Sequence, residues 1–263
     1  VLEQEELDLG VGVEGEPHVG GLRQGVGGAR CEDDAVPGVV YDFCRGRGAQ
    51  YPVAFLNGDE RRGERRWSGT LLTDRYGAYE AVVDPQHYPG RISAACAAHA
   101  RRNFEELAHE GTSPIGVDAL RRFARIYEVE GELKGLSDDE RRALRQRLAK
   151  PLWDELQQWL GLERRLVPDG GATAKAIDYT LSHWAALTRH LDDGAVAIDN
   201  NHLERQIKPW AMGRKAWQFV GSELAGQRAA IVMSLVQSAR MNGHEPWAYL
   251  RDVLQRLPTL LNT

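Results

Sequence analysis

The chain of 263 residues carries a formal net charge of −5, with 42% hydrophobic and 27% charged residues. This composition predicts a globular protein and excludes a wholly disordered one. No run approaches the roughly 18 apolar residues of a membrane span, and the first ten residues do not resemble a signal peptide, so we expect a cytoplasmic protein without a membrane partner.

The first ordered elements are predicted to begin at Val39. Residues 1–38 contain nine of the 28 glycines and show neither a helical nor a sustained strand period, so we expect a poorly ordered segment. Three short apolar runs then predict strands, namely VVYDF, WSGTLLTD, which ends at Asp74, and RISAAC. Between the first two, YPVAFLNG has a proline near its start and a glycine at its end, which predicts a short helix.

The middle and the end of the chain are predicted to be helical. CAAHARRNFEELAHE begins this block, Ser113 is a candidate N-cap, and Ser137 with Glu140 has the spacing of a capping box. Pro151 must end or kink its helix, and a further helix is expected up to Asp192. VAID is a brief extended piece, and three more helices follow, the first of them capped by Asn200 or Asn201. The order of elements predicts a mixed α/β fold with a helical insertion.

Two carboxylates stand where metal ligands are useful. Asp74 ends a predicted strand, and a carboxylate at the edge of a sheet suits a hard cation such as Mg²⁺. Glu204 lies one turn into a predicted helix and four residues before Lys208, which suits a site that holds both a metal and an anionic backbone. The alternatives are a turn-capping aspartate for Asp74 and an ordinary helical ion pair for Glu204.

Cys96 and His99 have the C-x-x-H spacing of half a zinc site. A structural zinc normally needs four ligands, so a buried thiol beside a histidine at the start of a helix is the favoured interpretation. Trp210 and Trp217 flank MGRK, where an aromatic ring beside Arg214 and Lys215 could stack on a base, although packing in the core is the alternative.

The charges are unevenly distributed. Residues 1–40 hold nine acidic and two basic side chains, whereas the rest of the chain is close to neutral. In residues 41–263 the basic side chains form three clusters, which are Arg61, Arg62, Arg65 and Arg66; Arg101 and Arg102; and Arg205, Lys208, Arg214 and Lys215. A near-neutral body with basic patches can bind phosphates locally, and the alternative for each cluster is a solvated surface.

Five ordered motifs together resemble the DDE transposases of the insertion-sequence-66 family. They are YDFCRGRGAQYPVAFLNG, GTLLTDRYGAY, CAAHARRNF, LDDGAVAIDNNHLERQIKPWAMGRKAWQFVGS and NGHEPWAYLRDVL. The similarity runs from about Val39 to about Pro258, and the block from Asp192 to Ser222 is its most specific part.

The resemblance implies a fold, a reaction and a site. The fold is ribonuclease H-like, in a catalytic domain over 39–258 with a helical insertion at about 98–192 and a C-terminal helical region at about 199–258. The reaction is cleavage at transposon ends and transfer of the 3′-hydroxyl to target DNA, by a homo-oligomer in a synaptic complex. Three carboxylates hold two Mg²⁺ ions, and Asp74 and Glu204 match the second and third. DNA phosphates are then neutralised by Arg205, Lys208, Arg214 and Lys215.

The N-terminal segment departs from the family pattern. The first catalytic Asp of the family stands in an Asp-Glu-Thr-like motif on the first strand, and no such motif precedes VVYDF here. We therefore expect residues 1–38 to be a non-native segment and hypothesise that about the first 35 are translated out of frame or come from a decayed gene copy. An inactive truncated copy, a non-catalytic DNA-binding remnant and a ribonuclease H-like nuclease without strand transfer remain alternatives.

Overall fold

The computed structural model describes residues 17–20, 38–44, 46, 48–58, 66–109, 113–217 and 220–259. Two compact units are formed, of which unit 1 is drawn from Val1–Gly69, Tyr76–Arg91 and His202–Thr263, and unit 2 from Thr70–Arg75 and Ile92–Asn201. Most of the segment 1–38, for which poor order was predicted, lies outside the described residues. No helix in the described ranges is long and apolar enough to cross a membrane.

Four strands are present among the described residues, and they are β1 (Pro17–Gly20), β2 (Val40–Phe43), β3 (Gly69–Thr73) and β4 (Arg91–Ala95). β1 pairs with β2 in antiparallel fashion, with Pro17 opposite Phe43. β3 pairs with β4, and both their starts and their ends are neighbours, because Gly69 N donates to Gly90 O and Cys96 N donates to Thr73 O. This second pair is therefore parallel. The three predicted strands are confirmed as β2, β3 and β4, whereas β1 falls in a segment without a predicted strand.

Helices account for most of the described residues. They are α1 (Gln50–Asn57), α2 (Ala97–His109), α3 (Pro114–Glu132), α4 (Asp138–Leu144), α5 (Lys150–Arg164), α6 (Ala172–Ser182), α7 (Trp184–Leu187), α8 (Arg189–Asp192), α9 (Asn201–Trp217), α10 (Glu223–Met241) and α11 (Pro246–Arg256). Short 3₁₀ turns occupy Gly77–Tyr79 and Leu257–Thr259. The chain is thus a mostly helical α/β protein, which agrees with the predicted class, while the ribonuclease H-like topology stays a prediction.

Several predicted helix boundaries are confirmed by their hydrogen bonds. Ser113 caps α3 by accepting from Gly116 N, and Ser137 with Glu140 forms a complete capping box at α4. Before Pro151 the regular helix widens into a π-helical turn over Arg145–Ala149. Proline has no N–H for the carbonyl four residues earlier and its ring crowds that carbonyl, so a wider turn at this point is the expected response.

The helix that the sequence predicts before Asp192 is divided into α6, α7 and α8. At the first break, the Ser182 hydroxyl and the His183 ring both approach the Tyr179 carbonyl oxygen, at 3.1 and 2.8 Å. At the second, the Thr188 hydroxyl donates to the Trp184 carbonyl oxygen. Side chains that occupy these carbonyls compete with the helical hydrogen bonds, and the helix is interrupted. Within the predicted extended piece VAID, Val196 and Ile198 form bends and no strand is assigned.

Each unit has its own apolar core. In unit 2 the fully buried Trp153 contacts Phe123 edge to face, with ring centroids 6.0 Å apart, and α2, α3, α5 and α6 contribute further buried residues. In unit 1 the core is built by Val39, Tyr41 and Phe43 against Trp210 and Ala230. Gly226 of α10 lies so close to β2 that a Cβ there would stand 2.6 Å from the Phe43 ring.

Candidate active site

Asp74 follows β3 directly, and the turn that carries it is held at several points. Arg75 adopts a φ of 66°, which is uncommon for a residue other than glycine. Its amide donates to the Thr73 hydroxyl at 3.2 Å, and its guanidinium donates to the Ser93 hydroxyl on β4 at 2.7 Å. A backbone that several hydrogen bonds hold in an uncommon conformation is typical of functional turns. The half-buried Asp74 thereby stands directly after the carboxyl end of β3, which confirms its predicted place at a strand end.

Tyr179 of α6 reaches the same turn from the helical part of unit 2. Its hydroxyl donates to the backbone carbonyl oxygen of Asp74 at 3.0 Å. Burial raises the pKa of the Tyr179 phenol to about 12, and the negative charge of Asp74 adds to that effect. The phenol therefore stays protonated near neutral pH and remains a hydrogen-bond donor to the turn.

The segment that leads into α9 is organised by Asp199. One carboxylate oxygen accepts from Asn201 N at 3.1 Å, and the other accepts from Asn201 Nδ2 at 2.8 Å and from the Tyr127 hydroxyl at 3.0 Å. Sequence reasoning assigned the cap of this helix to an asparagine and gave Asp199 no role. The signal that could have indicated it is a carboxylate two residues before the first helical N–H.

Cys96 lies directly after β4 and contacts the same segment. Its Sγ accepts from Asn200 N at 3.4 Å, and the adjacent Ala97 N donates to Ile198 O at 3.0 Å. Burial raises the pKa of the Cys96 thiol to about 11, so the sulfur is a protonated, buried thiol. The predicted buried thiol is confirmed.

Glu204 lies in the first turn of α9 and is half-buried. A carboxylate at this position is favoured by the positive end of the helix dipole. Arg205 and Lys208 are exposed on the same helix, three residues apart, which places them next to each other on its surface. For Arg214 and Lys215 only the backbone belongs to the described residues.

Trp210 does not have the exposure that stacking on a base requires. It is 9% exposed and its ring centroid lies 5.9 Å from that of Tyr41 in the core of unit 1. The stacking interpretation is therefore wrong for Trp210, and the alternative, packing in the core, is confirmed. The side chain of Trp217 lies outside the described residues.

The two predicted metal ligands belong to different units, Asp74 to unit 2 and Glu204 to unit 1. Within the described ranges, no group of three or more His, Cys, Asp or Glu side chains stands close enough to hold a metal ion. Carboxylate oxygens are nevertheless the donors that Mg²⁺ prefers, and this ion is commonly bound through only one or two of them.

A family model described as "Transposase IS66 family" matches residues 28–228, and a second, "IS66 C-terminal element", matches residues 234–261. Two similar relatives are the uncharacterized proteins y4hP and y4jD of Sinorhizobium fredii (strain NBRC 101917 / NGR234). Each is 34% identical over 85% of this chain, which covers 41% of y4hP and 43% of y4jD. The chain thus spans about two fifths of the length of these curated relatives. No solved structure matches it significantly.

Proposed function

Because the chain belongs to the Transposase IS66 family, we propose that it is the catalytic part of a transposase that cuts DNA at transposon ends and joins the freed 3′-hydroxyl to target DNA. The observation that carries this proposal is the family match over residues 28–228, which includes both the strand end at Asp74 and the helix start at Glu204. The proposal includes a ribonuclease H-like core, a helical insertion at about 98–192 and action on DNA in the cytoplasm.

Asp74 and Glu204 are proposed to hold Mg²⁺. Both are carboxylates, the donor type that suits this ion, and each is placed at the end of a regular element whose position the backbone restricts. When bound, a pair of such ions activates the attacking oxygen and stabilises the leaving oxygen of an in-line displacement. Asp74 and Glu204 are proposed to orient the reacting DNA strand. Tyr179 and Arg75 keep the backbone at Asp74 in place.

Arg205, Lys208, Arg214 and Lys215 are proposed to neutralise DNA phosphates beside the cut. All four lie on α9, the helix that carries Glu204, and Arg205 and Lys208 are exposed. Phosphate contacts of this kind release counterions, so binding weakens as salt rises. Replacing Arg205 or Lys208 with alanine should each reduce the slope of log affinity against log salt by about one.

The decisive experiment is a nicking and strand-transfer assay. The substrate is a supercoiled plasmid that carries both ends of the insertion sequence, incubated with the purified chain and Mg²⁺. Nicked and joined products are expected, with Asp74 and Glu204 as the metal ligands, although no Asp-Glu-Thr-like motif supplies the first carboxylate of the family pattern in this chain. Asp74→Asn and Glu204→Gln should each lower the nicking rate by about two orders of magnitude or more, the scale of losing a group that stabilises developing charge.

Matched controls separate a site effect from a general loss of charge. Asp118→Asn in α3 and Glu223→Gln at the start of α10 remove exposed carboxylates and should leave nicking unchanged. Nicking without joined products would favour a ribonuclease H-like nuclease. Salt-sensitive DNA binding without nicking, unaffected by Glu204→Ala, would favour a non-catalytic remnant and overturn the proposal.

The proposed partner besides DNA is a second copy of this chain, since cleavage of two transposon ends requires both to be held in one synaptic complex. Sedimentation of the protein with a duplex that carries one end should show two or more copies per pair of ends. A complex of one copy with one end at every protein concentration would contradict this part of the proposal.

A further inference from the structure

The segment between α8 and α9 is held by the helical part of unit 2 through backbone carbonyls. One guanidinium nitrogen of Arg145 lies 2.8 to 3.4 Å from four carbonyl oxygens, that of His190 in α8 and those of Asp193, Gly194 and Val196 in the segment. Arg141 also donates to Gly194 O, at 2.6 Å. The segment is therefore not a free linker but is fixed along most of its length.

Tyr127 holds the end of this segment. It lies on α3 one turn before Glu130, the residue that pairs with Arg145, so both side chains project from the same side of that helix. The Tyr127 hydroxyl donates to Asp199, which in turn accepts from the backbone and the side chain of Asn201, the first residue of α9. A chain of hydrogen bonds thus connects α3 with Asn201, the first residue of α9.

Charge and burial favour this arrangement. Burial, followed by the nearby Asp199 charge, raises the pKa of the Tyr127 phenol far above its usual value, so the hydroxyl keeps its proton and donates. The Asp199 carboxylate faces the amide end of α9, where a negative charge is stabilised by the helix dipole. Hydrogen bonds to an ionised acceptor are stronger and shorter than neutral ones.

We propose that Asp199, held by Tyr127, is a positioning residue for the transposase reaction: it fixes Asn201, the residue at which α9, the helix that carries Glu204, begins. This inference rests on the proposed function. It assigns the insertion a second task besides folding, because Tyr127 of α3 holds the carboxylate that caps the first residue of α9. Asp199 itself is not proposed to touch DNA or metal.

The test compares Tyr127→Phe, which removes only the hydroxyl, with Asp199→Asn, which keeps the shape but not the charge. Hydrogen–deuterium exchange of residues 198–206 reports the anchoring without any need for activity. We expect exchange at the first amides of α9 to rise about tenfold in each variant, the size of effect that loss of one charged hydrogen bond allows. Nicking at saturating DNA should fall similarly, while the half-saturating DNA concentration stays unchanged.

Thr180→Val is the matched control, because it removes a different buried hydroxyl of unit 2, one that donates to Ala176 O within α6. It should alter neither exchange at 198–206 nor nicking. Unchanged exchange in Tyr127→Phe and Asp199→Asn overturns the anchoring. Raised exchange with full nicking reduces Asp199 to an ordinary helix cap and overturns the positioning role. A wild-type chain that does not nick refutes the proposed function itself, and the exchange data then show separately whether the anchor exists.

Discussion

Arg145 and Glu130 form a bidentate ion pair inside unit 2, with Nε and one terminal nitrogen each 2.8 Å from a carboxylate oxygen. The Arg145 side chain is 2% exposed and that of Glu130 is 12% exposed. Removing one partner from such a pair leaves a buried charge without compensation. The remaining guanidinium nitrogen of Arg145 donates to carbonyl oxygens of the segment that precedes α9. Arg145 therefore both pairs with Glu130 and holds the backbone of that segment.

Arg145→Met should therefore lower the free energy of unfolding by about 3–5 kcal/mol. Urea unfolding followed by circular dichroism measures the change. Arg142→Ala is the control, because Arg142 is exposed in α4 and its pair with Asp139 is solvated, so it should change stability by no more than about 1 kcal/mol. Equal effects of the two substitutions would contradict the role assigned to burial.

Arg91 has a comparable role in unit 1. It is 4% exposed and donates to the backbone carbonyls of Trp67, Val82 and Leu56. Arg91→Met keeps the apolar stem but leaves these three carbonyls without that donor, which should cost at least about 2 kcal/mol of stability. In the same urea experiment, Arg256→Ala on the exposed surface of α11 should be close to neutral. A loss below about 0.5 kcal/mol for Arg91→Met would show that water replaces the guanidinium.

Structural features that depend on residues close together in the chain could be predicted from the sequence. Ser113, Ser137 and Glu140 were identified as caps because a cap depends on residues three positions apart, and the strand that ends at Asp74 was identified from its composition. The placement of Asp74 at a strand end and of Glu204 in the first turn of a helix could therefore be predicted without a structure.

Features that depend on distant residues could not be predicted. Nothing near Asp199 in the chain indicates that its partner is Tyr127, 72 residues away. The burial of Trp210 likewise depends on Tyr41, and α6 to α8 are separated by side chains whose competition for carbonyls is decided in the folded state. An isolated aromatic beside basic residues has the same local pattern whether it packs in a core or faces DNA.

Gly194 is predicted to be a position that tolerates no side chain. A Cβ there would overlap the backbone carbonyl of Asp138, which is fixed at the start of α4. Gly194→Ala should therefore destabilise the protein by about 1–3 kcal/mol, the usual cost of overpacking. Gly131→Ala on α3 is the matched control, because a Cβ there meets nothing within 4 Å and should stabilise by about 0.5–1 kcal/mol. Thermal unfolding should show a lower midpoint temperature for Gly194→Ala and a higher one for Gly131→Ala than for the wild type.

His190 should make the stability of the protein depend on pH. It is 2% exposed and packs on Trp153, and within the described residues its Nε2 has no hydrogen-bond partner. Burial, followed by the charge of Arg145, lowers the pKa of His190 from 6.5 to about 3. The folded protein therefore holds a neutral imidazole at pH values where the unfolded chain binds a proton.

Between pH 6.5 and about pH 3 the imidazole binds a proton in the unfolded chain but not in the folded protein. Burial of His190 therefore costs no stability above about pH 6.5, and the free energy of unfolding decreases as the pH falls toward 3. The expected slope is at most about 1.4 kcal/mol per pH unit in that window. His190→Phe keeps an aromatic ring against Trp153 and should remove this part of the slope in urea unfolding between about pH 4 and about pH 7. His109→Gln, at the exposed end of α2, should retain the wild-type slope. If His190→Phe shows the same pH dependence as the wild type, other groups and not this buried imidazole cause the loss of stability in acid.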